Sequence, residues 1–440
     1  MSRGHAFVLG SGVAGLSCAE VLSRNGWQIT LFEAAPDLGG EASRSTQNWF
    51  HTGWLYAALP NKAAMVDCNQ ALRLFHAMYG GVLSPETLNL TFRDGSVEYP
   101  ASDRGWFSGE RVQYLYATGT AELSRGQRLF WKDYLRAVAF RRLRGLGYDV
   151  TPTTVLDPKL ARLLDHWEAS PVGRDLYTVV RSTDAQINTR RVLNSLLALL
   201  GERAEVVCGA RYTLAKEGAS TVIRMNGEVH RPDLVVLATG QGIAQQLTDL
   251  GCESMARRFK SVCSPIAVLK RALDLPNFIR FTPNLPTTIN HIKYEIPGVG
   301  SRSTVGSYDY FQVGQAPDIS SFAQRVCARL DIPTSDVANV YYGTKTEFTG
   351  SAERRYNHAI ERVSDNAYFV IPGKFSQFPL LAHEFCQRLG LRSEIGNSAR
   401  GVLRMEVAAT APELSFLDSQ MRARTEQRAK PKWAAYALEG

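Results

Sequence analysis

The stretch from His5 to Glu33 constrains the fold of this chain more than any other. Ala6 to Leu9 form a short apolar run, three glycines follow at once, and apolar residues then recur at helical spacing. A second apolar run, Gln28 to Phe32, ends at the acid Glu33. The order strand, glycine-rich turn, helix and strand predicts a βαβ unit that binds a dinucleotide.

Each glycine of this turn has a distinct physical role. Gly10 allows the tight turn, Gly12 lets the backbone approach a pyrophosphate, and Gly15 lets the helix pack closely on the strand. A helix that begins near Val13 presents free N–H groups and the positive end of its dipole to phosphates. We expect Glu33 to accept hydrogen bonds from an adenosine ribose. NAD and FAD both satisfy this pattern, so the unit leaves the choice of dinucleotide open.

Length and charge set broader limits. At 440 residues the chain is long enough for two or three domains, and its formal charge is +8. Such a charge permits an anionic membrane, an acidic substrate or a nucleic acid as partner and selects none of them. Basic residues concentrate in Arg125–Arg144 and in Met421–Trp433. The first segment could be an amphipathic surface-binding helix, although a packed helix with a solvated basic face is the commoner arrangement.

Cysteine spacing and hydropathy narrow the class further. The seven cysteines contain no Cys-x-x-Cys pair, so neither a zinc site nor a disulfide framework is indicated. No apolar run is long enough to span a bilayer, and the glycine turn begins too close to Met1 for a signal peptide. We therefore predict a cytoplasmic protein that binds no metal and no nucleic acid, with peripheral contact at the inner face of a membrane left open.

The residues after Glu33 favour FAD over NAD. An NAD enzyme would continue with further βα units, whereas here a Gly39–Gly40 pair precedes small and hydroxylated residues. Close approach of a bulky extended ligand would explain this composition. Much later, the apolar strand Leu234 to Leu237 ends in a turn of small residues, at the sheet edge where nucleotides bind.

The C-terminal part carries a third signal. Tyr368 to Ile371 read as a strand and Pro372–Gly373 as a turn, and Pro379 suits the first turn of a helix that runs to about Leu389. Lys374 and Ser376, just before that helix, would form a positive, donor-rich pocket. Such a pocket stabilises a flavin edge that becomes negative on reduction.

Other elements follow from periodicity. Predicted helices cover Met65 to about His76, Thr189 to Leu200 and Ile319 to Leu330, and Gln113 to Thr183 reads as mainly helical. Predicted strands include a hairpin at Asp94–Gly95, a strand through Val206 and Val207, a β-rich segment Tyr212 to Arg224, and alternating strands from Ser264 to about Phe311. In the last of these, His291 and Tyr294 fall on opposite faces of one strand.

With these motifs together, the chain resembles the D-amino-acid oxidase (DAO) superfamily of FAD-dependent oxidoreductases. The pattern His51-x-Gly53-x-x-Tyr56 with Lys62 downstream is most similar to L-2-hydroxyglutarate and glycerol-3-phosphate dehydrogenases, as are Gly373, Lys374 and Ser376. Trp49, Phe50 and Trp54 depart from the usual small neighbourhood of that histidine.

The resemblance implies an α/β (α+β overall) fold with two domains. A Rossmann-like FAD-binding domain, discontinuous in sequence, would comprise 1–82, 181–262 and 360–412. An antiparallel-sheet substrate domain with a helical insertion would comprise 83–180 and 263–359, and 413–440 would be a basic tail. FAD contacts would come from Gly10, Gly12, Val13, Ala14, Gly15, Glu33, Ala34, Gly40, Ser43, Ser45, Thr46, Val206, Ala238, Thr239, Gly240, Gly373, Lys374, Phe375 and Ser376.

The resemblance also implies hydride transfer to flavin N5 from a carbon that bears a hydroxyl or an amine. A base must accept the hydroxyl proton, or the amine must arrive deprotonated. His51 is the first candidate base; it could instead link covalently to the flavin or only hydrogen-bond nearby groups. Lys374 would lie at the flavin edge, and Arg355, or Arg354 beside it, could clamp a substrate carboxylate. At most one of Tyr294 and His291 would line the pocket, and ordinary packing is the commoner arrangement for each.

We accordingly predict an FAD-dependent dehydrogenase or oxidase that acts on a CH–OH substrate resembling a 2-hydroxy acid. One alternative is an amine or amino-acid oxidase. A second is a flavin-dependent tailoring enzyme, such as a desaturase, cyclase or reductase, in which Trp49, Phe50 and Trp54 cradle a larger hydrophobic substrate. Oxygen or a quinone would accept the electrons.

Overall fold

The computed structural model describes residues 3–36, 38–39, 42–43, 45, 47–59, 62–93, 96–153, 155–169, 173–282, 288–296, 300–307, 311–312, 318–349 and 356–393. The strands are β1 His5–Leu9, β2 Gln28–Glu33, β3 Trp49–Phe50, β4 Thr91–Arg93, β5 Ser96–Glu98, β6 Phe107–Ala117, β7 Tyr177–Ile187, β8 Ala204–Cys208, β9 Thr213–Glu217, β10 Ser220–Met225, β11 Glu228–His230, β12 Leu234–Leu237, β13 Phe259–Leu269, β14 Phe278–Phe281, β15 Ile289–Ile296, β16 Gly300–Ser307, β17 Phe311–Gln312, β18 Val337–Phe348, β19 Ala359–Ser364 and β20 Ala367–Ile371. The helices are α1 Val13–Arg24, α2 Trp54–Ala57, α3 Lys62–Tyr79, α4 Pro85–Leu88, α5 Arg125–Tyr134, α6 Arg141–Gly145, α7 Pro158–Glu168, α8 Thr189–Leu199, α9 Ile243–Asp249, α10 Glu253–Ala256, α11 Ile319–Leu330 and α12 Phe378–Arg388, with a π-helical turn at Leu135–Phe140 between α5 and α6.

The apolar runs at both ends and in the middle of the chain meet in one sheet. Its order is β19-β20-β12-β1-β2-β8, and all neighbours are parallel except β19 and β20. Val8 of β1 faces Val236 of β12 on one side and Leu31 of β2 on the other, and all three side chains are fully buried. Parallel strands buried on both faces require continuous apolar sequence, which these segments have.

A nine-stranded sheet forms the second layer. Its order is β17-β13-β16-β15-β14-β6-β7-β3, with β18 paired to β13. The pairs are antiparallel apart from β14 with β6. Together with the parallel sheet it confirms the predicted α/β fold class with a second, mainly antiparallel sheet. Smaller sheets join β9, β10 and β11, and β4 with β5.

The mainly helical prediction for Gln113–Thr183 is wrong at both ends. The stretch begins inside β6 and ends inside β7, two long antiparallel strands, and only the part between them is helical. Val112, Tyr114 and Tyr116 on one face of β6 are fully buried, and so are Leu115 and Ala117 on the other. β-branched and aromatic residues in alternation favour a strand that is covered by other elements, and this signal outweighs local helix propensity.

Most other element predictions are confirmed. β12 and α11 have the predicted bounds, and α8 and α12 end within one residue of them. α3 is longer than predicted at both ends, and β4 pairs with β5, while Asp94 and Gly95 lie outside the described residues. Two of the predicted domain boundaries fall inside strands: the boundary between residues 180 and 181 lies within β7, and the boundary between 262 and 263 lies within β13. The tail 413–440 also lies outside the described residues.

Within the described part of the chain, no helix has the length and apolarity needed to cross a bilayer. The same residues contain no cluster of three or more histidine, cysteine or acidic side chains arranged to hold a metal ion.

Candidate functional site

The turn between β1 and α1 is built so closely that two of its positions accept no side chain. Gly10 has φ +103°, and a Cβ there would lie 2.5 Å from the carbonyl oxygen of Ala238. A Cβ on Gly15 would lie 1.8 Å from the Gly10 carbonyl oxygen. Gly12 is the N-cap of α1, and because it has no side chain it leaves the helix end uncovered. This is an open helix end in the sense that no N-cap side chain occupies the place that a pyrophosphate would take.

Hydroxyl groups surround this helix end. The Val13 N–H donates to Ser43 Oγ at 2.9 Å, and the Gly39 N–H donates to Ser11 Oγ at 2.8 Å. Ala14 is buried in the first turn of α1. The small residues after the double glycine thus return to the phosphate turn. Gly40 and Thr46, also predicted as cofactor contacts, lie outside the described residues.

Glu33 ends β2 beside the glycine turn. Its carboxylate accepts hydrogen bonds from the Ser11 N–H and hydroxyl and, at 2.8 Å, from the N–H of Ala35. These contacts orient the carboxylate at the carboxyl edge of the sheet, next to the predicted ribose position. Ala34, another predicted cofactor contact, is the residue between Glu33 and Ala35 in the sequence. Val206 lies on the neighbouring edge strand, opposite Leu31, with its side chain 37% exposed.

Two more predicted segments reach the same region. Ala238 follows β12 and donates its N–H to the Leu9 carbonyl at 2.8 Å, so the turn through Thr239 and Gly240 lies directly beside Gly10. A side-chain-free turn, an open helix end and an acid at the tip of β2 together fit an extended dinucleotide.

The C-terminal turn completes the site from another side. Gly373 has φ +67°, and a Cβ there would lie 2.5 Å from the backbone of Asn357. Lys374 follows, Ser376 is buried ahead of α12, and the Phe375 ring packs edge-on against Phe378 at 5.9 Å. This close backbone contact fixes where Lys374 and Phe375 enter the neighbouring cavity.

That cavity has a volume of about 850 Å³, including space open to solvent. Its lining joins β3, β13, β15 and β18 to the C-terminal turn and includes Trp49, His51, Asn290, Lys345, Tyr356 and Lys374. Ser45, predicted as a cofactor contact, also lines it. The described lining contains two lysines, several amide and hydroxyl groups and no carboxylate.

His51 is held by a carboxylate that no motif had indicated. Its Nδ1 lies 3.4 Å from Oδ2 of Asp184, a fully buried residue of β7. Asp184 also accepts hydrogen bonds from the Thr52 N–H at 2.8 Å, the Thr52 hydroxyl at 2.7 Å, the Tyr114 hydroxyl at 2.7 Å and the Trp49 indole N–H at 3.2 Å. Because an ionised carboxylate only accepts, these donors hold Asp184 as the anion.

The protonation states follow from these contacts. Burial opposes ionisation of Asp184, but hydrogen bonds from His51, Thr52 and Tyr114 outweigh it and lower the pKa of the carboxyl below its usual value. Burial lowers the pKa of His51 to about 4; Asp184 opposes this shift, and Lys374 and Lys345 add to it. At neutral pH His51 is therefore an uncharged imidazole. With Nδ1–H directed to Asp184, Nε2 keeps its lone pair and can accept a proton.

Lys374 is 9% exposed, and aromatic rings lie against it. Its Nζ is 4.4 Å from the ring centre of Tyr356 and 5.9 Å from that of Tyr56. Cation–π contact with two rings stabilises a charged ammonium group that burial would otherwise disfavour. His51 packs on the same group of rings, stacked on Trp49 at 5.5 Å and edge-on to Tyr56 at 5.8 Å.

The remaining predicted residues lie elsewhere. Tyr294 is half-buried on β15, opposite Arg302, and burial raises its pKa to about 12. The cavity lining includes Asn290, on the same face of that strand, and does not include Tyr294. His291 is fully buried, 3.0 Å from the Pro276 carbonyl and 2.7 Å from the Ser303 hydroxyl. Arg354 and Arg355 lie outside the described residues.

Sequence reasoning missed Asp184, Asn290, Lys345 and Tyr356. The signal available for Asp184 was its place in an alternating strand, between Ser182 and Gln186 on one face, where an inward-facing acid needs a partner. Of the aromatic residues near His51, Trp49 lines the cavity, whereas Phe50 and Trp54 are fully buried and pack in the core.

Comparison with known proteins gives a consistent result. A family model described as DAO, FAD dependent oxidoreductase, matches residues 5–373. One similar solved structure is L-α-glycerophosphate oxidase from Mycoplasma pneumoniae with FAD bound, which is 13% identical over 91% of this chain and 98% of that chain, with a TM-score of 0.61. Another is glycine oxidase from Geobacillus kaustophilus, which is 13% identical over 88% of this chain and 95% of that chain, with a TM-score of 0.59. Iminodiacetate oxidase from Chelativorans sp. BNC1 is also similar: it is 16% identical over 89% of this chain and 97% of that chain, with a TM-score of 0.60. No curated protein sequence matches the chain. At these identities the structural likeness concerns the fold.

Proposed function

The chain belongs to the DAO family of FAD-dependent oxidoreductases, and we propose that it oxidises an anionic CH–OH compound of the 2-hydroxy acid type. The observation that carries the proposal is an uncharged His51, held by buried Asp184, in the wall of a cavity that also presents two lysines. The product would be the corresponding 2-oxo acid.

FAD, when bound, supplies the acceptor for the hydride. Its pyrophosphate would lie at the N-terminus of α1 over Gly12, and Glu33 would bind the adenosine ribose. Lys374 and the buried start of α12 would lie at the flavin end, on the side of the cavity. These placements account for the residues that tolerate no side chain and for the open helix end.

His51 and Asp184 provide what oxidation of an alcohol requires. The hydroxyl proton must leave as the hydride departs, and an imidazole with a free Nε2 can take it. Asp184, 3.4 Å away, then stabilises the imidazolium that forms. An amine needs no such base, because it can bind in its deprotonated form. The dyad therefore favours a hydroxyl substrate over an amine.

The charge of the cavity supports an anionic substrate. Lys345 and Lys374 line the same cavity as His51, and their charges add to the lowering of its pKa, so both would attract a substrate anion near the imidazole. Lysine ammonium groups bind carboxylates through charge-assisted hydrogen bonds. Arg355 as a further clamp stays a prediction from the sequence.

The experiment is an anaerobic screen of the flavin-loaded protein, in which loss of the yellow flavin absorption reports reduction. We expect 2-hydroxy acids to bleach the flavin and His51→Asn to slow bleaching by about 10²-fold or more, since general base catalysis contributes about that much. His230→Asn, which changes a histidine on β11, is the matched control and should bleach at the normal rate.

Two other outcomes decide against the proposal. Bleaching by amines or amino acids alone would assign an amine oxidase. Failure of every such donor with bleaching by NAD(P)H would assign a flavin-dependent tailoring enzyme. Reoxidation by oxygen or by a soluble quinone then identifies the electron acceptor.

A further inference from the structure

The helical segment Arg125–Gly145, made of α5, the π-helical turn and α6, is fixed to the protein by one face. Trp131, Leu135, Phe140 and Leu143 are buried on that face. The Trp131 ring stacks on Phe281 of β14 with 5.9 Å between ring centres and 14° between planes. Side chains on the opposite side of the segment are exposed and are available for a second contact.

Two large apolar side chains lie next to each other on that outer face. Leu129 is 60% exposed and Phe130 is 70% exposed, while the following residue, Trp131, is buried. The Phe130 ring stacks on Tyr134 at 6.0 Å, one helical turn further along. Single exposed apolar residues are common on protein surfaces; an adjacent pair at this exposure gives a larger apolar surface, and contiguous apolar surface is what distinguishes interaction sites.

Positive charge surrounds this pair. Residues 125–144 contain seven arginines and lysines and one acid. Three of the arginines are used internally: Arg128, Arg142 and Arg144 donate to main-chain carbonyls. The other four basic residues are exposed and form no ion pair with any part of the chain that the structure describes; they are Arg125, Lys132, Arg136 and Arg141.

We propose that this Leu129–Phe130 surface docks on an anionic membrane. Leu129 and Phe130 would enter the headgroup boundary, and the four exposed cations would contact lipid phosphates. Apolar side chains flanked by arginine and lysine on one helix match the layering of such an interface, where hydrocarbon lies beneath negative charge. The membrane is favoured over an acidic protein because the exposed apolar pair and the four exposed cations occur together in one helical segment.

The position of this surface connects it to the cavity. Arg142 Nη1 donates to the carbonyls of Ala57 at 3.2 Å and Leu59 at 3.1 Å, in the segment that follows His51. Docking would therefore hold the substrate side of the enzyme against the membrane. The inference does not depend on which substrate the cavity accepts.

Sedimentation with lipid vesicles tests the proposal on the full-length, flavin-loaded protein. We expect binding to vesicles of phosphatidylcholine with phosphatidylglycerol, little binding to phosphatidylcholine alone, and weakening with added salt. Leu129→Ser with Phe130→Ser should weaken binding by at least about tenfold. Lys132→Gln with Arg136→Gln should weaken it by about fivefold for each charge removed.

Matched controls remove the same chemistry elsewhere. Val229→Ser on β11 replaces another exposed apolar residue, and Lys216→Gln with Arg224→Gln removes two cations from the β9–β10 hairpin. Both should bind vesicles as the unmodified protein does, and flavin content verifies folding in every variant. Equal binding by the Leu129/Phe130 variant, or binding to neither vesicle, overturns the proposal. Self-association that this variant abolishes, without lipid binding, would make the surface an interface between copies.

Discussion

Asp184→Asn should slow flavin reduction because it leaves His51 with its proton on the wrong nitrogen. Oδ1 of Asp184 accepts from the Thr52 N–H and hydroxyl, and Oδ2 accepts from His51, Tyr114 and Trp49. An asparagine has one acceptor oxygen, so its NH₂ group must face one of these sets of donors.

The backbone decides which side the amide nitrogen takes. The Thr52 N–H cannot rotate away, so the asparagine oxygen should stay opposite it and the NH₂ group should face His51. His51 then accepts at Nδ1 and carries its proton on Nε2, where no lone pair remains to take a substrate proton. The imidazolium also loses an anionic partner 3.4 Å away.

The magnitude follows from these two losses. A hydrogen bond to a charged group contributes about 1.5–3 kcal/mol, or roughly 10- to 150-fold in rate, and sets the lower range. A wrong histidine tautomer in a serine-protease triad costs about 10⁴-fold, which sets the upper range. We therefore expect reduction by a 2-hydroxy acid to slow by about 10²- to 10⁴-fold.

Anaerobic stopped-flow measurement of flavin absorption gives this rate. Tyr114→Phe is the matched control: it removes one donor, keeps the carboxylate charge and should cost less than about tenfold. Asp184 raises the pKa of His51 against the effect of burial, so its loss should move the acid limb of the rate profile to lower pH. A variant that keeps the flavin, the normal rate and the normal acid limb would refute a role for the dyad in proton transfer.

Three further predictions concern other parts of the molecule. Gly15→Ala should abolish FAD binding or folding, since the new Cβ would lie 1.8 Å from the carbonyl oxygen of Gly10. The flavin content of the purified protein measures this effect. Gly126→Ala is the control, because no atom lies within 4 Å of its Cβ. Lys374→Gln should weaken binding of a carboxylate inhibitor by about 10-fold or more, measured by flavin difference spectra, whereas an uncharged analogue should bind both proteins alike. His358 should make stability depend on pH: burial lowers its pKa, but the carboxylates of Glu384, 2.9 Å away, and Asp67, 3.5 Å away, raise it to about 9. The pKa of His358 is higher in the folded than in the unfolded protein, so its protonation stabilises the fold by up to about 3 kcal/mol. This contribution is complete below about pH 6.5 and is lost as the pH rises to about 9. The free energy of unfolding of His358→Gln, measured with urea, should show no such loss.

Local signals were enough to predict the cofactor-binding end of the molecule from its amino-acid sequence. The glycine turn, its helix and the acid at the end of β2 lie within one short stretch, and the Cβ of an alanine at position 15 would collide with Gly10 of the same unit. The close contact at Gly10 itself is with Ala238, which follows β12, so that steric reason appears only in the folded chain. β12 and α11 were predicted with their full bounds because β12 is a continuous apolar run and α11 has a clear helical period. A family resemblance built on such motifs correctly indicated FAD.

The proposed catalytic residues come together only in the folded chain. His51 and Asp184 are 133 residues apart, and the contact exists because β3 pairs with β7 in the second sheet. Both β6 and β7 looked helical in the sequence, since their aromatic and branched residues gain their strand preference from packing against neighbours. The rings of Tyr356 and Tyr56 reach Lys374 from distant segments as well. Pairings between distant strands leave no fixed spacing in the sequence, so the charge state of His51 and the sign of the cavity required the folded chain.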